Sequence, residues 1–215
     1  EGNLAYPLFV KPANLGSSIG ISKATTRSEL KFALEVASHY DRKLIVERGI
    51  ENVREINCAV MGNEELVASA CEEPLSWETF LTYDDKYLKG VSPKGLKGAH
   101  KQVPADISTE LTQEVQDLSI RAFRAIDARG TARVDLLVDR DTEAVYVNEI
   151  NTIPGSLAFH LWQAVGLSPT QVVDNLIQLA FDAFEDRGQT RFSYDTPLLE
   201  KADLSQVQKW TTSSV

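Results

Sequence analysis

Thr131-Ala-Arg-Val-Asp-Leu-Leu-Val138, with its return Val145-Tyr-Val-Asn-Glu-Ile150 and the following Asn151, forms a hairpin from which the rest of the chain can be placed. The first segment alternates with period two, Arg140 to Ala144 reads as a turn, and the second segment comes back as a strand. A turn centred on Thr142 sets Asp135 opposite Glu149. Even-numbered positions (Val134, Leu136, Val138, Tyr146, Ile150) then make a largely apolar face, while Arg133, Asp135, Glu149 and Asn151 project from the other. Two carboxylates placed directly opposite repel and call for a counter-charge. Two acids and an amide offer only oxygen, which suits Mg²⁺ or Mn²⁺ better than zinc, and Arg133 is left for phosphate oxygens. The competing reading is a solvated hairpin end in which Arg133 neutralises the acids.

Upstream, Tyr6 to Val10 reads as a strand, Lys11 to Ser18 as a Gly/Ser/Asn loop and Ile19 to Lys23 as a second strand. Thr26-Arg-Ser-Glu29 matches a capping box, and Leu30, Ala33, Leu34 and Ala37 stripe a helix that ends near Tyr40. Lys43 to Glu47, Glu55 to Met61 and Glu65 to Glu72 are three more strands, the last two split by the Gly62-Asn63 hairpin signal. Residues 1–75 therefore read as a small α+β unit. Residues 73–104 carry Pro74, Pro93, Pro104 and several glycines, aromatics and lysines, and read as a long functional or mobile loop within a second unit, 76–188. In that unit Ser108 caps a helix striped by Leu111, Val115, Leu118 and Ala122. Pro154-Gly155 stops the return strand, an apolar helix spans about Leu157 to Val165, and Ser168-Pro169 opens another helix. Residues 189–215 read as a tail or packed extension.

A chain of 215 residues, 43% apolar and 25% charged, buries a real core. Its net charge of −9 argues against nucleic acid or an anionic membrane as partner, since both need a basic face. No apolar run is long enough to span a bilayer and no signal-peptide pattern opens the chain, so the cytoplasm is the expected location. Cys58 and Cys71 lack metal-ligand spacing and read as buried thiols, and no serine or cysteine nucleophile is indicated.

Val10-Lys-Pro-Ala-Asn-Leu-Gly-Ser-Ser-Ile-Gly20 puts Lys11 at a strand end before a small-residue loop whose N–H groups can approach phosphates; the alternative is a flexible turn with a solvated lysine. Glu47 and Glu55 suit the ribose hydroxyls or an adenine amine, or are strand-end charges paired with Arg48 and Arg54. Phe80-Leu-Thr-Tyr-Asp-Asp-Lys86-Tyr87 reads either as a segment that closes over a ligand or as aromatic anchors on the body.

Together, Phe9-Val-Lys11-Pro12 with Gly16-Ser17-Ser18-Ile-Gly20, Tyr83-Asp-Asp-Lys86-Tyr87, Arg133-Val-Asp135 and Asn148-Glu149-Ile-Asn151-Thr-Ile-Pro-Gly155 resemble the D-alanine–D-alanine ligases of the ATP-grasp superfamily, from about Tyr6 to Ala183. The resemblance implies an α+β ATP-grasp fold with nucleotide between two subdomains. It implies that Lys11, Ser18 and Lys86 contact ATP phosphates, that Glu47, Arg48, Gly49, Ile50 and Glu55 hold adenine and ribose beside Asn148, and that Phe80 covers the base. Asp135, Glu149 and Asn151 would hold two Mg²⁺, or Mn²⁺, with Glu149 bridging; Arg133 would stabilise the transition state, and Ser17 and Tyr87 would close and orient the site. The implied reaction passes phosphate from ATP to one D-alanine carboxylate, and the amine of a second D-alanine attacks the acyl phosphate to give a dipeptide for peptidoglycan.

Two departures qualify the resemblance. Family members carry an N-terminal domain ahead of the strand that starts here, so the chain is expected to be a fragment that binds nucleotide and ligates poorly alone; a homodimer stays open. After Gly155, Ser156-Leu-Ala-Phe-His160 replaces the stretch where the family places a serine for the acceptor carboxylate. His160 binding that carboxylate, Ser156 substituting, an acceptor other than D-alanine, and a packed His160 that binds nothing all remain open.

Overall fold

The computed structural model describes residues 4–16, 18–75 and 100–189. Its elements are β1 (Leu8–Pro12), β2 (Ser22–Ala24), α1 (Arg27–Ser38), β3 (Leu44–Arg48), β4 (Val53–Gly62), β5 (Val67–Leu75), β6 (His100–Gln102), α2 (Thr109–Ala125), β7 (Gly130–Asp139), β8 (Val145–Asn151), α3 (Phe159–Ala164) and α4 (Pro169–Gln189). They form two antiparallel sheets, β2-β1-β3 and β6-β5-β4-β7-β8.

The small sheet is covered by α1. Val10 packs with Ala33 and Ala37, and Leu30, Leu34, Leu44 and Val46 close around them, so the helical stripe is the buried face. The capping box forms one residue out of step. Thr26 Oγ1 accepts from Glu29 N at 3.2 Å, but the Glu29 carboxylate reaches Thr25, taking its N–H at 2.7 Å and its hydroxyl at 2.8 Å. Those two bonds hold the Glu29 carboxyl below its usual range.

β4 and β5, which fall within the 1–75 unit as read from sequence, hydrogen-bond into the large sheet. β4 is central there, running ten residues against β7 from Val53↔Asp139 to Gly62↔Gly130. It is buried on both faces. One face packs on α2, where Ile56, Cys58, Val60, Cys71, Val134, Leu136 and Val138 meet Val115 and Phe123. On the other, Ala59 and Met61 meet Ala158, Leu161, Trp162 and Val172 from the C-terminal helices. Full burial of such side chains contributes about 1.5–3 kcal/mol each, which fixes the sheet between its helical layers. Cys58 and Cys71 are register partners on β4 and β5, both buried and free, as expected of inert core thiols.

The β4–β5 turn needs glycine. Gly62 has φ +139°, and a Cβ there would lie 2.0 Å from Glu65 O. Asn63 beside it ties the turn to the body, donating Nδ2 to Leu179 O at 2.8 Å and accepting from Gly130 N at 3.2 Å.

The ends of the stretch read as a long loop are strand. β5 continues to Leu75 and pairs with β6 through Glu73↔Gln102, Pro74↔Lys101 and Leu75↔His100. A short polar edge strand shows no apolar alternation, so periodicity passes over it. Among the described residues no helix is long and apolar enough to cross a membrane.

Candidate active site

The hairpin β7–β8 closes in the expected register, with Asp135 opposite Glu149 and Arg133 opposite Asn151. The regular ladder breaks between Asp135 and Leu136: Leu136 pairs with Val147, so Asn148 is an extra residue bulged out of β8. The bulge shifts the phase of the strand. Ile150, below it, keeps the apolar face and packs on the α2-side core. Tyr146, above it, lies opposite Leu137 and is exposed, contrary to the alternation counted straight through the hairpin. Asn148 and Glu149 both reach the site side as a result: Lys11 Nζ lies 3.4 Å from Asn148 Oδ1.

Register carries the polar row further than the hairpin. Asn57 on β4 pairs with Asp135 on one side and with Glu72 of β5 on the other, so Glu72, Asn57, Asp135 and Glu149 form one rung across four strands. Asp135 is buried and takes a bidentate grip from Arg133, Nε to Oδ1 at 2.5 Å and Nη2 to Oδ2 at 2.6 Å. Asn151 Nδ2 donates to Asp135 Oδ2 at 2.9 Å and to Glu149 Oε1 at 3.2 Å. Burial lifts the Asp135 carboxyl above its usual range against the pull of Arg133, and Glu149 and Glu72 add to the rise. Glu55 is likewise lifted, first by the protein packed around it and then by Asp135. The hydrogen bond to Asp135 in turn raises Arg133.

This cluster is short of positive charge. Among the described residues, Glu55, Glu72, Asp135 and Glu149 face Arg133, Lys101 and His160, and the donor that the two hairpin carboxylates share is an amide that can turn its oxygen inward instead. The two hairpin carboxylates and the Asn151 amide oxygen offer oxygen donors, which suit a hard divalent cation.

The loop of the small sheet stands across from the hairpin. Ala13, Asn14, Leu15 and Gly16 face Glu149, Ile150, Asn151, Thr152 and Ile153 over a cleft of about 590 Å³, within the usual range for a small-molecule site. Lys11 sits at its edge, its Nζ 2.7 Å from Glu47 Oε2. Glu47 thus pairs with Lys11 instead of Arg48, and Arg54 turns to the buried Glu73, leaving Glu55 free of it. Arg48, Gly49 and Ile50 form the exit from β3 towards β4, where Gly49 N donates to Pro7 O at 2.6 Å. Ser18 lies in the loop with φ +58°. Ser17, Phe80, Lys86 and Tyr87 lie outside the described residues.

After β8 the chain makes an unusual turn. Gly155 opens a short 3-10 turn in which Ser156, Leu157 and Ala158 all have positive φ, +49°, +49° and +52°. Left-handed backbone costs a non-glycine residue about 1–2 kcal/mol, so three in succession persist only where their surroundings hold them. Ala158, Leu161 and Trp162 are the anchors, all buried against Ala59 and Met61. This delivers His160 to the polar rung, where its Nε2 lies 2.5 Å from Glu72 Oε2.

Sequence reading named His160 but missed Glu72, Asn57 and Lys101. Glu72 is wholly buried, accepts from Asn57 Nδ2 at 3.2 Å and lies 3.4 Å from Lys101 Nζ. Burial pushes its carboxyl up, but the bonds from His160 and Asn57 and the charge of Lys101 outweigh it and hold the group below its usual range. The available signal was a carboxylate breaking the apolar run Val67-Ala-Ser-Ala-Cys71.

A family model described as D-ala D-ala ligase C-terminus matches residues 1–178. The chain belongs to that family. Among relatives, the D-alanine–D-alanine ligase of Thermosipho africanus is 42% identical over 197 residues, covering 92% of this chain and 52% of its own length. That of Solibacter usitatus is 45% identical over 194 residues, covering 88% and 57%. The structure of the D-alanine-D-alanine ligase from Coxiella burnetii superposes with a TM-score of 0.70 at 33% identity, covering 85% of this chain and 47% of that one. VanG D-Ala:D-Ser ligase from Enterococcus faecalis gives 0.69 at 35%, covering 82% and 50%. This member of the D-ala D-ala ligase C-terminus family has the α+β ATP-grasp fold, and it spans about half the length of the relatives it matches.

Proposed function

We propose that the chain is the ATP-binding and catalytic portion of an ATP-dependent D-alanine–D-alanine ligase, working in the cytoplasm on peptidoglycan precursors. The observation that carries this reading is the Asp135–Glu149 rung, with Asn151 between its acids, set across a cleft from the Lys11 loop. In this reading the loop backbone at Asn14 to Ser18, with Lys11 and Lys86, cradles the phosphates of ATP. Glu47 to Ile50 and Glu55 take the adenine and ribose, with Asn148 nearby and Phe80 over the base. Asp135, Glu149 and Asn151 hold Mg²⁺, which when bound neutralises the transferring phosphate.

Arg133 leaves Asp135 to meet the oxyanion of the tetrahedral intermediate, where preorganised positive charge is worth most. Ser17 and Tyr87 orient the reactants, and Gly155, Ser156 and His160 line the acceptor side. The remainder of the first amino-acid site belongs to the N-terminal half that the relatives carry. A second reading, an acceptor other than D-alanine, is favoured by His160 standing on a buried acid where the resemblance implies a serine.

Phosphate release by the full-length protein with Mg²⁺-ATP and a panel of D-alanine, D-serine and D-lactate tests both readings. Release driven by D-alanine alone supports the first. Release that requires one of the others beside D-alanine supports the second, and no release with any of them sinks both.

A further inference from the structure

Two costly features converge on one imidazole. Glu72 is a carboxylate with no solvent exposure, which is expensive unless fully partnered, and the ring it grips is delivered by three successive left-handed residues. Neither is needed to fill the space, since a well-packed apolar side chain at position 72 would do so at lower cost. The grip is one-sided. Glu72 takes Nε2, while Nδ1 of His160 has no hydrogen-bond partner among the described residues, and the side chain is 37% exposed. The carboxylate is itself fixed by Asn57 Nδ2 on Oε1 and by Lys101 Nζ astride both oxygens, so it holds the ring as a rigid post.

We propose that Glu72 is a positioning residue that acts through His160, fixing the ring by Nε2 so that Nδ1–H meets the α-carboxylate of the acceptor amino acid. A ring held by Glu72 at Nε2 and by the ligand at Nδ1 lies between two carboxylates, which fixes its plane as well as its position. Lys101 and Asn57 keep Glu72 from swinging to the ligand's place. Specificity for a carboxylate-bearing acceptor thus originates in a buried residue two strands from the hairpin. This rests on the ligase reading above.

The test is a competition read as a product ratio, which is independent of how much enzyme folds. The full-length protein with Mg²⁺-ATP is given equal D-alanine and D-alaninamide. D-alanine serves as donor in every turnover, so mass spectrometry of D-alanyl-D-alanine against D-alanyl-D-alaninamide reports only whether the acceptor carboxylate is recognised. Wild type is expected to favour the free acid. Glu72→Gln and His160→Ala should each lower the ratio roughly ten- to hundredfold, the worth of one charge-assisted hydrogen bond. The double variant should fall no further than His160→Ala alone, because both changes remove the same contact. A ratio unchanged in Glu72→Gln, or an additive fall in the double variant, overturns the proposal while leaving the ligase reading intact. Neither product from wild type sinks the ligase reading itself. If Glu72→Gln gives no folded protein, His160→Ala decides, and an unchanged ratio there overturns the proposal.

Discussion

Arg133→Ala should destabilise the apo protein by an amount set by what it leaves behind. Arg133 satisfies both oxygens of Asp135, a side chain only 6% exposed, and its removal leaves a buried charge with Asn151 as the remaining donor at 2.9 Å. Breaking a buried pair from one side costs about 3–5 kcal/mol; the surviving amide bond puts the expectation near about 3 kcal/mol. For a chain of this length that is a fall in Tm of about 6–12 °C. The loss should depend on pH. Asp135 already has a raised carboxyl, and without Arg133 it rises further. The folded variant therefore binds a proton that the unfolded chain does not, and its stability falls as pH rises through that folded value. The deficit relative to wild type is largest at neutral pH and shrinks on acidification. Urea denaturation at neutral and mildly acidic pH, with and without Mg²⁺, measures this. Mg²⁺ should restore part of the loss by replacing the missing charge. A deficit that is the same at every pH and indifferent to Mg²⁺ would refute the account of Asp135 as an uncompensated buried acid.

Arg133→Ala should also lower kcat of the full-length protein far more than it weakens ATP binding, and the reverse pattern in steady-state kinetics would contradict its placement at the transition state. Lys11→Ala, which removes a lysine paired to Glu47 at the edge of the cleft, should weaken Mg²⁺-ATP binding about tenfold or more by calorimetry, with little change in Tm. Phe123→Ala empties the centre of the α2 interface and should cost about 3–5 kcal/mol in denaturant unfolding, with no direct contact to the site. Cys58 and Cys71 should react with a thiol reagent only after denaturant is added, because both are buried; rapid labelling of the native protein would show that the β4–β5 core opens.

The hairpin was legible because its information is local, two strand-like segments around a short polar turn; counting from Thr142 sets Asp135 against Glu149, a register the strands reach through a turn centred half a residue earlier and one bulge. The bulge at Asn148 was not, since one extra residue alters no composition and only the partner strand reveals it, which is why Tyr146 was placed on the wrong face. The α1 and α2 stripes and their caps at Thr26 and Ser108 were visible for the same local reason. Sheet membership of β4, which carries its hairpin partner β5 with it, depends on pairing with β7 some seventy residues later (Val60↔Ala132 is one such pair), and no short-range pattern encodes that choice. The left-handed run Ser156–Ala158 contains no glycine to announce it. Glu72 resembles an ordinary strand charge until its neighbours are known, so the sequence named His160 without naming what holds it.

The extra residue in β8 belongs to no pair of the ladder. Deleting Asn148 would leave every other pair of the hairpin available, with Val147 still opposite Leu136 and Glu149 still opposite Asp135. What disappears is the hydrogen bond that, among the described residues, ties Lys11 of the small sheet to this strand. That contact between the two sheets is thus a detachable part, mounted on the hairpin ladder without being woven into it, and one codon removes it while the ladder stays whole.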